Sequence, residues 1–427
     1  AIELLEKVLE KERNLEDTTE EKRLLTENNL AHMYFSQGRY AEAEKLQVEA
    51  LKRHTQSFGP YHRYTLAMKD NLSKTYFAQD RLSEAEKLQV EAVEDSKKHL
   101  GPNHPDTLVS MSNLAETYTS MERYQEAEEL RNLVFLGQKE RLGPTHPRTL
   151  ASMDNLASVY YELGRISDAQ KLQETAVSLY TTTLGSGHPD TLISMGNLAG
   201  TYFKLQEYER AAEIQVKVFE MSKENLGATH PNTLIVMGHL ATTYRRQERF
   251  QEAAELEEVI VSATTESLGR THPQTLGAMF NLAVSYYDLK RYGEAEEIQV
   301  HVLKHRRERF GPLHQATLNA LGALDRTYSV QGKHAEAVEI EAEIVAAHKG
   351  RTGEDSIETM KAMTDLGFSY YYLRRFEEAE ALVSVVLKRY KEVFGPDHPA
   401  TKSAVVNLAA IYKAQGREED AEKLGKE

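Results

Sequence analysis

The string Asn-Leu-Ala and its variants recurs at Asn29, Asn71, Asn113, Asn155, Asn197, His239, Asn281, Ala323, Asp365 and Asn407, always at a step of 42 residues with no insertion or deletion. A tyrosine stands five residues after every start, from Tyr34 to Tyr412, and an alanine fourteen after, from Ala43 to Ala421. A fixed period of this length is the mark of stacked supersecondary units. One such unit cannot bury its own apolar face, so each is stable only against its neighbours.

Each period reads as two helices. In the third unit His104-Pro105-Asp106-Thr107 opens the first helix, and proline suits a first turn, where no backbone N–H is needed. Leu108, Met111, Leu114, Ala115 and Tyr118 then recur at three- and four-residue steps along one face. Glu122-Arg123 makes a turn, where other units carry Gly38, Gly164, Gly332 or Gly416. Tyr124, Ala127, Leu130 and Val134 mark the inner face of a longer second helix, which ends near Leu142-Gly143-Pro144. Ala115 and Ala127 let the two helices approach closely. Tyr118 is a large plug with a polar tip, placed to wedge between hairpins.

Met111, Leu114, Ala115, Tyr118 and Ala127 sit where the tetratricopeptide repeat has its large aromatic, Leu, small residue, Tyr and Ala. The unit therefore resembles that family, whose usual period is about 34 residues. The longer form, with Leu-Gly-Pro-x-His-Pro-x-Thr-Leu between units, is similar to the kinesin light chain type. That type also occurs at the C-terminal end of fungal and bacterial multidomain sensors with a nucleotide-binding switch domain. The resemblance covers essentially residues 1–427. It implies an all-α fold, an α-solenoid built as a right-handed superhelix of antiparallel hairpins, with first helices lining a concave groove and second helices forming the outer wall. The phase predicts a single domain over 1–427: a partial repeat over 1–17, second helix only, then ten repeats over 18–427, the last truncated. Ala1 falls in the phase of Ala43, Leu4 in that of Leu46 and Leu9 in that of Leu51, so a larger parent protein is expected.

Charge and composition narrow the partner. The formal net charge is −14, from 52 Lys and Arg against 66 Asp and Glu. An acidic chain repels phosphate backbones and anionic bilayers, which points away from nucleic acid and membrane. There is no cysteine, hence no disulfide, thiolate metal site or cysteine nucleophile. This fits a reducing compartment, and the expected location is cytoplasmic. No phosphate-binding loop, His-Glu-x-x-His, Gly-x-Ser-x-Gly or Gly-x-Gly-x-x-Gly string occurs. No cofactor is expected and no enzymatic activity, because the uniform period leaves no insertion in which to build an active site. The pattern sets no oligomeric state.

Three rows are candidates for binding. Asn is a mediocre helix residue, so its return in mid-helix at Asn71, Asn113, Asn155, Asn197 and Asn281, with Asn29 and Asn407 in the same row, asks for a reason. One amide per layer, about 10 Å apart, could grip the backbone of an extended peptide, a role the kinesin light chain resemblance implies. Alternatively each bonds to the neighbouring hairpin and stiffens the array. His239, Ala323 and Asp365 interrupt the row, so the grip should differ in units six, eight and nine. An aromatic row follows the tyrosines at Phe35, Phe77, Tyr161, Phe203, Tyr287 and Tyr371; it would anchor partner side chains or pack on the adjacent helix. A basic set, Arg245, Arg246, Arg326, Arg374 and Arg375, would grip partner carboxylates or remain solvated.

Two further rows read as structural. Half of the 16 histidines recur in the loops at His62, His104, His146, His188, His230, His272, His314 and His398. One ligand per layer cannot converge on a metal, so they are expected to cap helices. Ser356 replaces His, and Gln315 and Ile357 replace Pro, so the array should be least regular over 311–360. The methionines at Met111, Met153, Met195, Met237, Met279 and Met363 read as core filler.

The leading functional reading is a protein–protein interaction scaffold that holds an extended peptide or protein segment in the groove. A second is the ligand-sensing or autoinhibitory arm of a nucleotide-switched, NB-ARC-like receptor. A third is a substrate-recruiting appendage of a separate catalytic domain. If the ladder tyrosines are core plugs, Tyr160→Ala costs about 3–5 kcal/mol, measured as a lowered unfolding midpoint. An unchanged midpoint would place that ring outside the core.

Overall fold

The computed structural model describes residues 2–14 and 20–424, and among them every regular element is a helix. They form two compact units, 1–225 and 226–427. The first holds α1 (Ile2–Asn14), α2 (Glu20–Ser36), α3 (Tyr40–Phe58), α4 (Arg63–Ala78), α5 (Leu82–His99), α6 (Pro105–Ser120), α7 (Tyr124–Leu142), α8 (Pro147–Glu162), α9 (Ile166–Leu184), α10 (Pro189–Lys204) and α11 (Tyr208–Leu226). The second holds α12 (Pro231–Arg246), α13 (Phe250–Leu268), α14 (Pro273–Asp288), α15 (Tyr292–Phe310), α16 (Gln315–Gln331), α17 (His334–Thr352), α18 (Ile357–Tyr372), α19 (Phe376–Phe394), α20 (Pro399–Ala414) and α21 (Glu418–Leu424). Even-numbered helices are the first helices of hairpins and odd-numbered ones the second. α1 is a lone second helix, as the phase predicts. Ala1, residues 15–17 of the partial repeat and the terminus at Glu427 lie outside the described residues.

The loop between repeats is built to one pattern. From α3 to α19 each second helix ends on or just before a glycine such as Gly59, at φ 90° and ψ 164°, a conformation essentially restricted to glycine. Six residues on, a threonine closes the loop. Thr65, Thr107, Thr191, Thr317, Thr359 and Thr401 donate their hydroxyls to the carbonyls of Gly59, Gly101, Gly185, Gly311, Gly353 and Gly395 at 2.7–2.8 Å. These threonines are fully buried. The histidine three before each threonine is the N-cap: Nδ1 of His104 accepts from the Asp106 N–H at 3.2 Å, and His62, His146, His188, His230, His272, His314 and His398 do the same. The cap satisfies a donor that the helix itself leaves unpaired.

The expected irregularity over 311–360 does not occur. α17 and α18 keep the usual 19 and 16 residues, and α16 is longer by one. Ser356 Oγ replaces histidine as cap, accepting from the Thr359 N–H at 3.1 Å, while Thr359 still bonds Gly353. The loop tolerates the exchange because a hydroxyl serves this cap as well as an imidazole.

The tyrosines are wedges between hairpins. Tyr202 Oη donates to Glu174 at 2.6 Å and Tyr286 Oη to Glu258 at 2.8 Å, each glutamate on the preceding second helix; Tyr34 and Glu6 pair likewise. The outer face of each ring carries a cation. Arg81, Arg123, Arg165, Arg291 and Arg375 lie 4.0–4.4 Å from the ring centroids of Tyr76, Tyr118, Tyr160, Tyr286 and Tyr370. Each also pairs with a glutamate or aspartate three residues on, and Arg81, Arg123 and Arg165 reach back to Glu44, Glu86 and Glu128 of the previous hairpin. In one repeat the order is inverted: Glu207 takes the arginine's place and Arg210 the glutamate's, yet Arg210 still covers Tyr202 at 4.1 Å. Cation–π contact selects the position of the charge, not its place in sequence. Tyr160 itself is only half-buried, covered by Arg165. The methionine row and Ala115 and Ala127 are buried as expected.

A polar row inside the second helices escapes sequence reading. Gln47, Gln89, Gln173, Gln215 and Gln299 are buried, with Arg131, Glu257, Glu341 and Val383 in the same register. The residues that share their register stand 28 residues on, in the next first helix. Thr75 donates to Gln47 at 2.6 Å and Ser369 to Glu341 at 2.8 Å. Where the row becomes Val383 the register partner is Ile411, and where it becomes Arg131 the partner is Val159 and Arg131 turns to Ser112 at 3.0 Å. Gln47 and Glu341 thus face hydroxyls and Val383 faces an apolar side chain, while Arg131, opposite Val159, finds its partner elsewhere, since an unpaired buried polar group is costly. Gln47→Val is therefore expected to destabilise by about 0.5–1.5 kcal/mol, because the Thr75 hydroxyl keeps only the longer contact to the Asn71 carbonyl at 3.2 Å. Gln47→Val with Thr75→Ile, the native pairing at Val383 and Ile411, should recover most of that loss. Denaturant unfolding of the four-member cycle decides, and strict additivity would show the pair to be uncoupled.

Candidate functional site

First helices of successive repeats touch one another within each unit, α4 against α6, α8 against α10 and α14 against α16. Clefts open between them, floored by the intervening second helix. In the first unit, one of about 370 Å³ is lined by Asn28, His32, Phe35, Gln47, Asn71 and Lys74. Another of about 360 Å³ lies between α6, α7 and α8, with Ser112, Asn113, Gln138, Arg141, Ser152 and Asn155 among its walls. Two of the predicted Asn row thus line one cleft and Asn71 lines the other.

The row is not uniform. Asn155, Asn197 and Asn281 are exposed, whereas Asn71 and Asn113 are half-buried. Asn71 Nδ2 donates to Asn28 Oδ1 on the previous first helix at 3.1 Å. One position before Asn71 stands Asp70, 8 % exposed, whose Oδ2 accepts from Ser110 of the next repeat at 2.5 Å, with Asn113 beside it. Asp154 and Ser194 repeat the link at 3.0 Å. So the Asn71 amide is engaged between layers, Asn113 lies half-buried beside Asp70, and the amides of Asn155, Asn197 and Asn281 face outward.

The aromatic row is half-buried at Phe77, Tyr161, Phe203 and Tyr287. Phe203 meets Tyr208 and Tyr287 meets Tyr292, the first residue of the following helix, at 5.3 and 5.4 Å between centroids. Phe35 and Tyr371 contact Tyr40 and Phe376 in the same way. These rings brace the hairpin while presenting an edge to solvent.

The basic set does not gather at one place. Arg245 holds the aromatic-row register and lies 4.0 Å from Glu257, a carboxylate only 4 % exposed. Arg246 and Arg326 are exposed, and Arg326 Nε donates to the Gly322 carbonyl at 3.2 Å. Arg374 sits in the hairpin turn at φ 59°. Arg375 belongs to the row stacked on tyrosines and pairs with Glu378.

The chain matches the tetratricopeptide repeat model over residues 22–98, 68–135, 134–182, 149–224, 190–266, 274–349 and 358–427, and a second tetratricopeptide model over 239–299. No curated protein sequence matches it. Among solved structures, it is similar to the nearly identical TPR-like repeats of a Podosopora anserina kinesin light chain, at 32 % identity over 48 % of this chain and 97 % of that one, TM-score 0.46. It is also similar in fold to the apo form of RapI (11 % identity, 92 % of this chain and 98 % of that one, TM-score 0.55). The apo form of the quorum sensor NprR from B. thuringiensis is likewise similar (16 % identity, 86 % and 99 %, TM-score 0.53).

Burial pushes the Asp70 carboxyl up to about 6, against the pull of Ser110 and Lys74, with Asp106 adding repulsion. Between the unfolded value of about 4 and about 6, the folded chain holds a proton that the unfolded chain has released. Stability at this site is therefore lost as pH rises through that window and stays lost above it. Asp70→Asn removes the titration, so the variant should gain stability over wild type progressively from pH 4 to pH 6. Parallel denaturation series at each pH check this; a constant difference would show that Asp70 ionises as freely folded as unfolded.

Proposed function

Since the chain belongs to the tetratricopeptide repeat family, we propose that it is a protein-interaction scaffold whose first-helix faces hold an extended peptide or protein segment. The observation that carries this reading is the row of amides at Asn155, Asn197 and Asn281, which face solvent at a repeat of one per layer. An exposed side-chain amide offers both donor and acceptor to a partner's backbone. The half-exposed rings of Phe77, Tyr161, Phe203 and Tyr287 supply apolar contacts beside them. Asn71 and Asn113 serve the same face indirectly, by fixing the spacing of neighbouring layers through Asn28 and Asp70. Arg245, Arg246 and Arg326 flank it in the second unit and would contribute charge.

Binding is the whole of the proposed role. The acidic residues of the second helices, Glu126 and Glu128 among them, pair with Arg123 and Arg165. They are committed to holding layers together and are not free for acid–base chemistry. No helix of the described residues is long and apolar enough to cross a membrane.

A peptide-display selection on the chain, run beside Asn113→Ala/Asn155→Ala/Asn197→Ala, tests the reading. The variant must keep its helical signal and melt close to wild type. Wild type should enrich a common motif and the variant should lose it. Identical motifs from both would make the Asn row a structural device.

A further inference from the structure

Within the second unit two adjoining clefts differ from their sister clefts in a concerted way. Asp325 stands where seven other repeats have alanine (Ala31, Ala115, Ala157, Ala199, Ala241, Ala283 and Ala409), Glu341 where the buried row is mostly glutamine, and Asp365 where the ladder has asparagine. These exchanges come from three rows on α16, α17 and α18, yet all three side chains line one cleft of about 360 Å³. Glu341 is only 4 % exposed; its Oε1 accepts from Ser369, and its Oε2 has no donor. Asp325 Oδ1 is buried without a donor too. Arg326 and Lys361, both exposed, stand on the rim with Glu358, and His348 lines the wall. Burial pushes the carboxyls of Asp325 and Glu341 up, a hydrogen bond from Glu341 restrains Asp325, and repulsion adds to the rise, from Asp365 at Asp325 and from both aspartates at Glu341. The pocket thus holds more acceptors than its own donors satisfy, the condition that a guanidinium or ammonium from outside relieves.

The next cleft, of about 100 Å³, has turned apolar. Phe368, Val383, Val406 and Ile411 line it with Asn407 at its edge. The matching cleft of the first unit presents Asn28, His32, Gln47 and Lys74. Gly367 replaces the small alanine of the row, and a Cβ there would come within 2.9 Å of Val383 Cγ2, so the glycine makes room for the valine. Phe368 and Val406 remain 43 % and 66 % exposed. α18 supplies Asp365 to the acidic cleft and Phe368 to the apolar one, one helical turn or about 5 Å apart. The clefts themselves are one layer apart, about 8–10 Å, and an extended ligand advances about 3.3 Å per residue, so side chains filling both clefts stand roughly two to three residues apart.

We propose that the second unit recognises a partner segment carrying an arginine or lysine, held by Asp325, Glu341 and Asp365, and an apolar side chain two to three residues away, held against Phe368, Val383 and Ile411. This deepens the groove-binding reading and rests on it. The acidic balance of the chain favours approach of such a segment, and the apolar cleft supplies the burial that an exposed ion pair lacks.

The test is a random dodecapeptide display selection on the 427-residue chain, followed by fluorescence anisotropy with the best peptide and its copy with the basic residue changed to alanine. Wild type should enrich a basic residue spaced two or three positions from Leu, Ile, Met or Phe. Asp365→Asn and Glu341→Gln, which restore residues used by sister repeats, should each weaken the parent peptide by about tenfold and leave the alanine copy unchanged. Val383→Gln with Ile411→Thr should abolish the apolar preference and keep the basic one. Asp365 is exposed, so its asparagine variant keeps the fold even if the buried Glu341 variant does not, and a thermal melt verifies this. A motif without the basic residue, or one indifferent to Asp365→Asn, overturns this inference and leaves groove binding standing. Enrichment of no motif by wild type overturns both.

Discussion

The register of the whole array rests on a loop that permits one residue at one place. From α3 to α19 each second helix runs into a glycine near φ 90°, and in six of these loops the threonine six residues later donates to that glycine's carbonyl from a fully buried position. The histidine between them caps the next helix. Glycine sets the direction in which the chain leaves, threonine fixes where it turns back, and histidine starts the new helix. Because all three act within seven residues, an insertion there would break a hydrogen bond that is out of reach of water. The unvarying 42-residue step follows from that closure, and Ser356 is tolerated because it caps the Thr359 N–H, one position further on, while Thr359 keeps its bond to Gly353.

Much of the framework is legible from the residues. The small alanines, the methionines and the tyrosines announce themselves by recurrence; the alanines and methionines lie in the packed layers and the tyrosines are buried or half-buried between them. Other features are hidden for definable reasons. Gln47 and its register mates look like solvated surface because they are polar, and only the position of Thr75 in the next repeat reveals that they face inward. The arginines over the tyrosines sit in what reads as a turn, where a charged residue needs no explanation. Arg375 reads from the sequence as one of a basic set, whereas its partners are Tyr370 and Glu378. Asp365 reads as a gap in the Asn ladder; its meaning depends on Asp325 and Glu341, which belong to other rows and meet it only through the fold.

The two units carry the same framework with different linings. In the first, clefts are walled by amides, a histidine and a lysine. In the second, one is acidic and its neighbour apolar. The helices, caps and stacked arginines continue without change beneath these differences. Packing residues and lining residues therefore vary independently, which allows a solenoid to alter what it contacts without altering how it stands.

The matched pairs across layers carry one more implication. The mate of each Gln47-type residue lies 28 positions on, beyond the inter-repeat loop, and polarity is matched across that border at Val383 and Ile411 as at Gln47 and Thr75. A hairpin excised at its loops and spliced elsewhere would carry half of one pair and half of another into mismatched surroundings. A segment cut instead at the hairpin turns, from one second helix through the next first helix, would travel with its pair intact. The smallest interchangeable piece of this chain is thus offset by half a period from the hairpin that the eye picks out.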